Sequence, residues 1–132
     1  MVIDTSALLA VLLSEPEAEP LAELMAGAPV LLMSAASQLE ACFVAGGSCF
    51  GAASDAVAGL CDALDIEVVP FERAHLLWAL KGWREFGKGR HKAGLNLGDC
   101  FSYGLARAMN MPLLYKGSDF SHTDVQSVGP QR

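Results

Sequence analysis

The sequence predicts an α/β fold: a central, mostly parallel sheet of four to five strands with helices on both faces. Short apolar runs suited to buried strands, "MVID", "VLLM", "IEVV" and "PLLY", alternate with longer segments whose apolar residues recur at helical spacing. The runs are continuous rather than alternating, as expected for strands buried on both faces. At 132 residues, with no internal repeat and no Pro/Gly/Ser-rich linker, the chain reads as a single domain over residues 1–132.

Taken in order, "MVID" is a strand and "TSALLAVLLS" the helix after it, with Asp4 or Thr5 near its cap. "SEPE", residues 14–17, has the pattern of a capping box with Pro16 in the first turn, opening a helix that ends near Gly27. "VLLM", 30–33, is a second strand, and "SAASQLEACFVAG" a helix that stops near Gly46 and Gly47. Ala53, Val57, Leu60, Cys61 and Leu64 place another helix between Phe50 and Asp65, with Asp55, Asp62 and Asp65 off its apolar face. "IEVV" is the third strand, closed by Pro70. Residues 72–87 are helical, with Leu76, Leu80 and Trp83 on one face. Glycines in "GKGRHKAGLNLG" mark a loop. Asp99 to Met109 is the next helix, its apolar stripe Phe101, Leu105, Ala108 and Met109. "PLLY" is a fourth strand, and "VQSV" a short fifth one at the sheet edge.

The hydrophobic fraction, 52%, is ample for a packed core. Runs such as "ALLAVLL" are too short to span a bilayer, and Asp4 stands where a basic secretory leader would be, so a soluble cytoplasmic protein is expected. Cys42, Cys49, Cys61 and Cys100 form no C-x-x-C pair, and Cys42, Cys61 and Cys100 fall on or beside apolar helix faces; small buried hydrophobes account for them better than zinc or redox ligands. The net charge of −6 argues against a polyanionic partner until its distribution is considered. Residues 1–72 carry eleven acids and no Lys or Arg, whereas residues 73–132 carry nine bases and four acids. The densest basic stretch is "KGWREFGKGRHK", 81–92.

Four carboxylates stand out. Asp4 ends the first strand, Asp99 opens a helix, Asp119 follows the last long strand, and Glu40 lies among apolar neighbours inside a helix that starts near Ser34. Each has an ordinary explanation alone: helix cap, first-turn acid, turn residue, or the end of a capping box from Ser37. Asp4, Asp99 and Asp119 occupy the strand-end or helix-start positions where α/β sites form, and Glu40, one turn into its helix, can reach the same end of the sheet. Four carboxylates in one pocket repel, and a hard divalent cation, Mg²⁺ or Mn²⁺, removes that conflict. Such an ion assists in-line attack on a phosphate, and the 81–92 stretch would hold a polyanion.

The segments "MVIDTSALLAVLL", "SAASQLEA", "FGKGRHKAGLNLGDCFSYGLA" and "PLLYKGSDFSHTDV" resemble, in order and over nearly the whole chain, the successive motifs of PIN-domain toxins of the VapC type. The resemblance implies a three-layer PIN-like fold and a Mg²⁺- or Mn²⁺-dependent endoribonuclease. It further implies a homodimer that cleaves cellular RNA and is neutralised by a cognate protein antitoxin. It places the catalytic acids on Asp4, Glu40, Asp99 and Asp119, with Asp4 and Asp99 as primary metal ligands. Glu40 would ligate directly or orient a water, and Asp119 would complete the site or support a second ion. Ser6, in "DTS", matches a hydroxyl that orders the site, and Asn96 and Asp124 match supporting positions. Lys88, Arg90, His91 and Lys92 are the candidate phosphate contacts; His91 is equally well a surface loop residue, and Lys116 is either a solvated turn lysine or a phosphate contact.

The chain departs from the family pattern twice. Gly117 stands where many relatives carry the last acid, with Asp119 two residues on, and Gly46–Gly47 interrupt a helix that relatives continue. These departures suggest an alternative: a PIN-fold antitoxin-binding protein with impaired catalysis. A phospho-accepting receiver domain fits less well, because "MVID" has one acid rather than an adjacent pair and "IEVVPF" has no acceptor Asp after the strand.

Overall fold

The computed structural model describes residues 1–128. Strands β1 (Val2–Ile3), β2 (Leu31–Ser34), β3 (Ile66–Val69), β4 (Leu113–Leu114) and β5 (Ser127–Val128) form one sheet in the order β3-β2-β1-β4-β5, every pair parallel. Val2 pairs with Leu32 on one side and Leu113 on the other. The chain leaves β1 toward β2 and β3 and later returns to β1's other side through β4. The boundary between β1 and β4 is therefore the place where strand order reverses, and sites in open parallel sheets form outside the carboxyl ends of strands at such a boundary.

Side-chain alternation splits the core in two. Ile3, Leu31, Met33, Ile66 and Leu114 face one layer, made by helices α1 (Thr5–Leu12), α2 (Ala18–Ala26), α3 (Ala35–Gly46) and α4 (Phe50–Ala63). Val2, Leu32 and Leu113 face the other, made by α5 (Arg73–Phe86) and α6 (Leu97–Met109) with Phe120 and Val125. The expected α/β sandwich, helix–sheet–helix, is present.

Several local expectations change in the structure. Ser14 opens no capping box: it turns left-handed (φ 52°) at the end of α1, and α2 starts only at Ala18 without a side-chain cap. The acids of "SEPE" are used otherwise, since Lys116 Nζ lies 2.7 Å from Glu15 and 3.7 Å from Glu17. That contact makes Lys116 a turn lysine paired with acids. Helix α6 begins two residues before Asp99, capped by Asn96. Its buried face is wider than the predicted stripe, taking in Cys100, Tyr103 and Ala106, while Met109 is exposed. On α5, Leu76, Leu80 and Trp83 do share a face, but that face is open to solvent; His75, Ala79 and Gly82 are the buried residues.

The reason lies in how closely α5 and α6 approach. A Cβ on Gly104 would stand 2.5 Å from the His75 carbonyl oxygen, and one on Gly82 2.5 Å from the Tyr103 ring. Only small residues fit at the crossing, so the large apolar side chains of α5 flank it.

The stretch Ala35–Ala63 is apolar enough by composition to cross a membrane. It is broken at Gly47 (φ 49°), and α3 and α4 fold back on one another, bringing Cys61 close to Cys42. Ala41, Cys42, Val57 and Cys61 are all core residues of the sheet layer. This is a packed helical hairpin.

Gly104→Ala should destabilise the protein by about 1–3 kcal/mol through overpacking against backbone. Gly59→Ala, on the exposed face of α4 with nothing within 4 Å of the added methyl, should stabilise it by about 0.5–1 kcal/mol. Chemical denaturation of both variants checks this; two equal effects would refute the close α5–α6 approach as a constraint.

Candidate active site

Asp4 leaves β1 in extended conformation and caps α1. It is 4% exposed, and its two oxygens are held differently. Oδ2 accepts from the Ser6 amide (3.0 Å) and the Ser6 hydroxyl (2.6 Å). Oδ1 accepts from the Ser102 hydroxyl of α6 at 2.5 Å. Burial raises the Asp4 pKa, and the Ser102 and Ser6 hydrogen bonds oppose that rise. The Lys116 amide in turn donates to Ser6 Oγ at 3.0 Å, which ties the segment after β4 to the start of α1.

Asp99 is the third residue of α6 and forms a reciprocal capping box with Asn96. The Asp99 amide donates to Asn96 Oδ1 (2.9 Å), and the Asn96 amide donates to Asp99 Oδ2 (3.0 Å). The cap fixes one carboxylate oxygen, Oδ2. The Asp99 carboxyl is pushed up to about 7, first by burial; the Asn96 hydrogen bond opposes this, and the charges of Asp4, Asp119 and Glu40 reinforce it. Asp4, through Ser102, and Glu40, against Gly98, are both brought to the helix that carries Asp99.

Glu40 lies on the second turn of α3 and is half-buried. Ser37 is fully buried within that helix and does not cap it; Ser34 does, accepting from the Ala36 amide. The Glu40 carboxylate rests directly against Gly98, where any Cβ would overlap it. Gly98 thus makes room for Glu40 at the start of α6. Burial raises the Glu40 pKa, the nearby Thr5 hydroxyl lowers it, and the Asp4 charge adds to the rise.

Asp119 is exposed at the start of a short 3₁₀ turn, Asp119–His122, pinned by the buried Phe120. Gly117 has φ 98°, a conformation L side chains rarely adopt. A carboxylate at position 117 would be strained here, whereas Asp119 carries its charge on unstrained backbone and still acts on Asp99.

Other candidates go elsewhere. Asp124 binds the Tyr103 hydroxyl (2.8 Å) and Arg107 Nη1 (2.5 Å), joining the loop before β5 to the later part of α6. Burial works against its ionisation, but hydrogen bonds from Arg107 and Tyr103 hold its carboxyl below the usual range. These contacts clamp the loop to α6. His91 Nδ1 accepts from the Ala93 amide (3.0 Å) and its ring meets Phe86 edge-on, so the imidazole shapes its own loop. Lys88, Arg90 and Lys92 are exposed on that loop, which is closed by a Gly87–Leu95 bridge and leads straight into the Asn96 cap. The Arg90 guanidinium lies 5.8 Å over the Trp83 ring. All four cysteines are free, with Cys42, Cys61 and Cys100 buried, and burial lifts the Cys100 thiol to about 11, far from a thiolate.

Sequence reasoning missed Ser102, Ser37 and Thr5, whose polar groups are buried at the site. A signal existed: Ser102 is three residues after Asp99 and Ser37 three before Glu40, so each shares a helix face with a candidate acid.

Among the described residues, no three His, Cys, Asp or Glu groups are already closed into a metal-ligand cluster. The acids gathered at the start of α6 offer carboxylate oxygens, the donor type preferred by a hard divalent ion such as Mg²⁺ or Mn²⁺.

A PIN domain family model matches residues 1–126. Ribonuclease VapC30 of Mycobacterium tuberculosis is 46% identical over 131 residues, covering 97% of this chain and 98% of that protein. The crystal structure of M. tuberculosis VapC20, described as a sarcin-ricin loop cleaving toxin, superposes with a TM-score of 0.76 at 20% identity, covering 98% of each chain. A toxin–antitoxin complex from Klebsiella pneumoniae contains a chain of the same fold, with a TM-score of 0.70 at 16% identity over 99% of this chain and 98% of that one.

The raised Asp99 pKa makes a stability prediction. Folded Asp99 binds its proton more tightly than unfolded Asp, so ionising it opposes folding; without metal, stability should fall as pH rises from about 4 toward about 7. Asp99→Asn should flatten this dependence and raise the melting temperature at pH 8 more than at pH 5. Parallel pH–melting curves in EDTA that kept the same slope would contradict it.

Proposed function

The chain belongs to the PIN-domain family, and from that premise we propose that it is a divalent-metal-dependent endoribonuclease, the toxin of a type II toxin–antitoxin pair acting in the cytoplasm. The observation that carries the proposal is the meeting of acids at the start of α6: Asp4 is tied to that helix through Ser102, Glu40 rests against Gly98, and Asp99 stands in its first turn. The charges of Asp4, Glu40 and Asp119, on three other segments, reinforce the rise that burial causes in the Asp99 pKa.

In this reading Asp4, Glu40, Asp99 and Asp119 hold Mg²⁺ or Mn²⁺, which when bound supplies neutralisation of the charge that develops on a phosphate under in-line attack. The chain's own residues prepare the place. Ser6 and Ser102 fix Asp4, Asn96 fixes Asp99, and Gly98 admits Glu40. Lys88, Arg90 and Lys92 are exposed on the loop that runs into α6, and there they neutralise the flanking phosphates of a single-stranded RNA. Asp124 and His91 take no part in the chemistry.

The alternative, a catalytically impaired relative, loses its grounds. The Gly46–Gly47 break falls more than a turn beyond Glu40, and Asp119 retains its influence on Asp99 despite the shift from position 117.

An exposed apolar surface supports the protein partners, a second copy of the chain and an antitoxin. Leu39, Phe43 and Val44 of α3 and Leu76, Leu80 and Trp83 of α5 stand in solvent on either side of Leu97, which is 71% exposed. Leu97 and Phe101 line both clefts that join these helices. A monomer that exposes so much contiguous apolar area is unusual.

Two outcomes test the reading. Cleavage of RNA should require Mg²⁺ or Mn²⁺ and stop in EDTA. Asp4→Asn should lose at least about 100-fold in rate while staying folded, since even groups that only orient a ligand are worth roughly 10–100-fold; full activity in EDTA or in Asp4→Asn would defeat the proposal. Binding of RNA to a cleavage-dead Asp99→Asn protein should weaken with salt. Replacing Lys88, Arg90 and Lys92 together by Ala should flatten the log–log slope by about two units, at roughly 0.7 per phosphate contact. An unchanged slope would remove the loop from the RNA site.

A further inference from the structure

Asp4 is held by two separate chains of hydrogen bonds, one to each oxygen. At Oδ2 the two donors are the Ser6 amide and the Ser6 hydroxyl, which together occupy both lone pairs. At Oδ1 there is one donor, Ser102 Oγ, 2.5 Å away and fully buried. Oδ1 is therefore the oxygen with acceptor capacity left for a cation, and Ser102 is the group that aims it.

Ser102 has one hydroxyl proton and gives it to Asp4. The 3.3 Å contact between the Ser37 and Ser102 hydroxyls is then directional: Ser37 donates and Ser102 accepts. Ser37 is also fully buried, and its carbonyl oxygen accepts from the Thr5 hydroxyl at 3.0 Å. The chain Ser37→Ser102→Asp4 thus joins α3, α6 and the end of β1. Ser37 lies one helical turn before Glu40, and Ser102 one turn after Asp99, so the bridge sits beneath both of those acids while touching the third.

Packing alone does not ask for these hydroxyls. Ser102 lies inside an otherwise apolar buried face between Cys100 and Tyr103, where alanine would fill nearly the same volume. A buried hydroxyl is unfavourable unless it is bonded, and both of these are bonded along a path that ends on a carboxylate.

We infer that the buried Ser37–Ser102 hydroxyl bridge holds Asp4, Asp99 and Glu40 in the register needed to bind a divalent cation, with Ser102 the positioning residue for Asp4 Oδ1. The inference rests on the metal-dependent nuclease reading. It adds a requirement that the carboxylates themselves do not impose: the ligands must be locked to one another across three elements before the ion arrives.

The test is Mn²⁺ affinity of the full chain, followed by electron paramagnetic resonance, alongside the melting temperature in EDTA. Ser102→Ala should bind Mn²⁺ about tenfold or more weakly, the scale at which ligand-orienting groups act, while melting close to wild type in EDTA. A folded Ser102→Ala protein that binds Mn²⁺ within twofold of wild type overturns the inference, even if it melts earlier, because that pattern marks a packing role alone. If Ser102→Ala does not fold, Ser37→Ala decides. It removes the distant donor, leaves the Ser102–Asp4 bond in place, and should weaken Mn²⁺ by about threefold through loss of cooperative polarisation; wild-type affinity there also overturns the inference. A wild-type protein that binds no Mn²⁺ overturns the nuclease reading and this inference together. Tight wild-type binding with unaltered variants overturns this one only.

Discussion

Carboxylates brought out of water toward one another repel, and each resists ionisation as its hydration is stripped. That repulsion organises this molecule. Asp4 is almost wholly buried at the end of β1, and Asp99 and Glu40 are half-buried against it. The fold meets the difficulty with donors: Ser6 and Ser102 on Asp4, and the Asn96 amide on Asp99. These donors hold the acids in place without neutralising them. Burial, reinforced by the charges of the other three acids, lifts the Asp99 carboxyl to about 7.

The parallel sheet explains why the conflict arises where it does. Parallel order sends every strand toward the same edge, so the segments after β1 and β4 and the starts of α1 and α3 share one end of the molecule. Helix α6 joins them with its N-terminus, whose free amides and positive dipole end favour the Asp99 carboxylate. Close approaches complete the arrangement. Gly104 and Gly82 let α6 lie tightly against α5, and Gly98 lets the Glu40 side chain rest on the first turn of α6. A side chain at Gly104 or Gly82 would push α6 away from α5, and one at Gly98 would displace the Glu40 carboxylate.

The same crowding has a consequence at the surface. Because small residues occupy the α5–α6 crossing, Leu76, Leu80 and Trp83 are displaced to its flank, where they meet Leu97 and Phe101 beside the acidic site. The basic loop follows directly after α5 and ends at the Asn96 cap. Asp99, the α5 part of the apolar rim and the cationic loop thus lie along one stretch of chain from α5 to α6, although the sequence as a whole carries a net charge of −6.

The strand–helix order, the places of the five strands, the helix stops at Gly27 and Gly46, and the burial of three cysteines were all legible in the sequence, because each depends on local periodicity, chain-breaking residues and composition. The motif order also pointed to the family, and the four acids were singled out because they sit at strand ends and helix starts. What the sequence could not state was contact. It could not tell that the apolar stripe of α5 faces outward, because periodicity reports that residues share a face and not which neighbour occupies it. It offered Ser14 a cap that the turn after α1 forecloses, and it could not show that Asp124 binds Arg107 and Tyr103. Ser102 and Asp4 are 98 residues apart in sequence and 2.5 Å apart in space. Their hydrogen bond exists only because β1, α3 and α6 pack around a common point, so tertiary structure alone decided which hydroxyl fixes which acid.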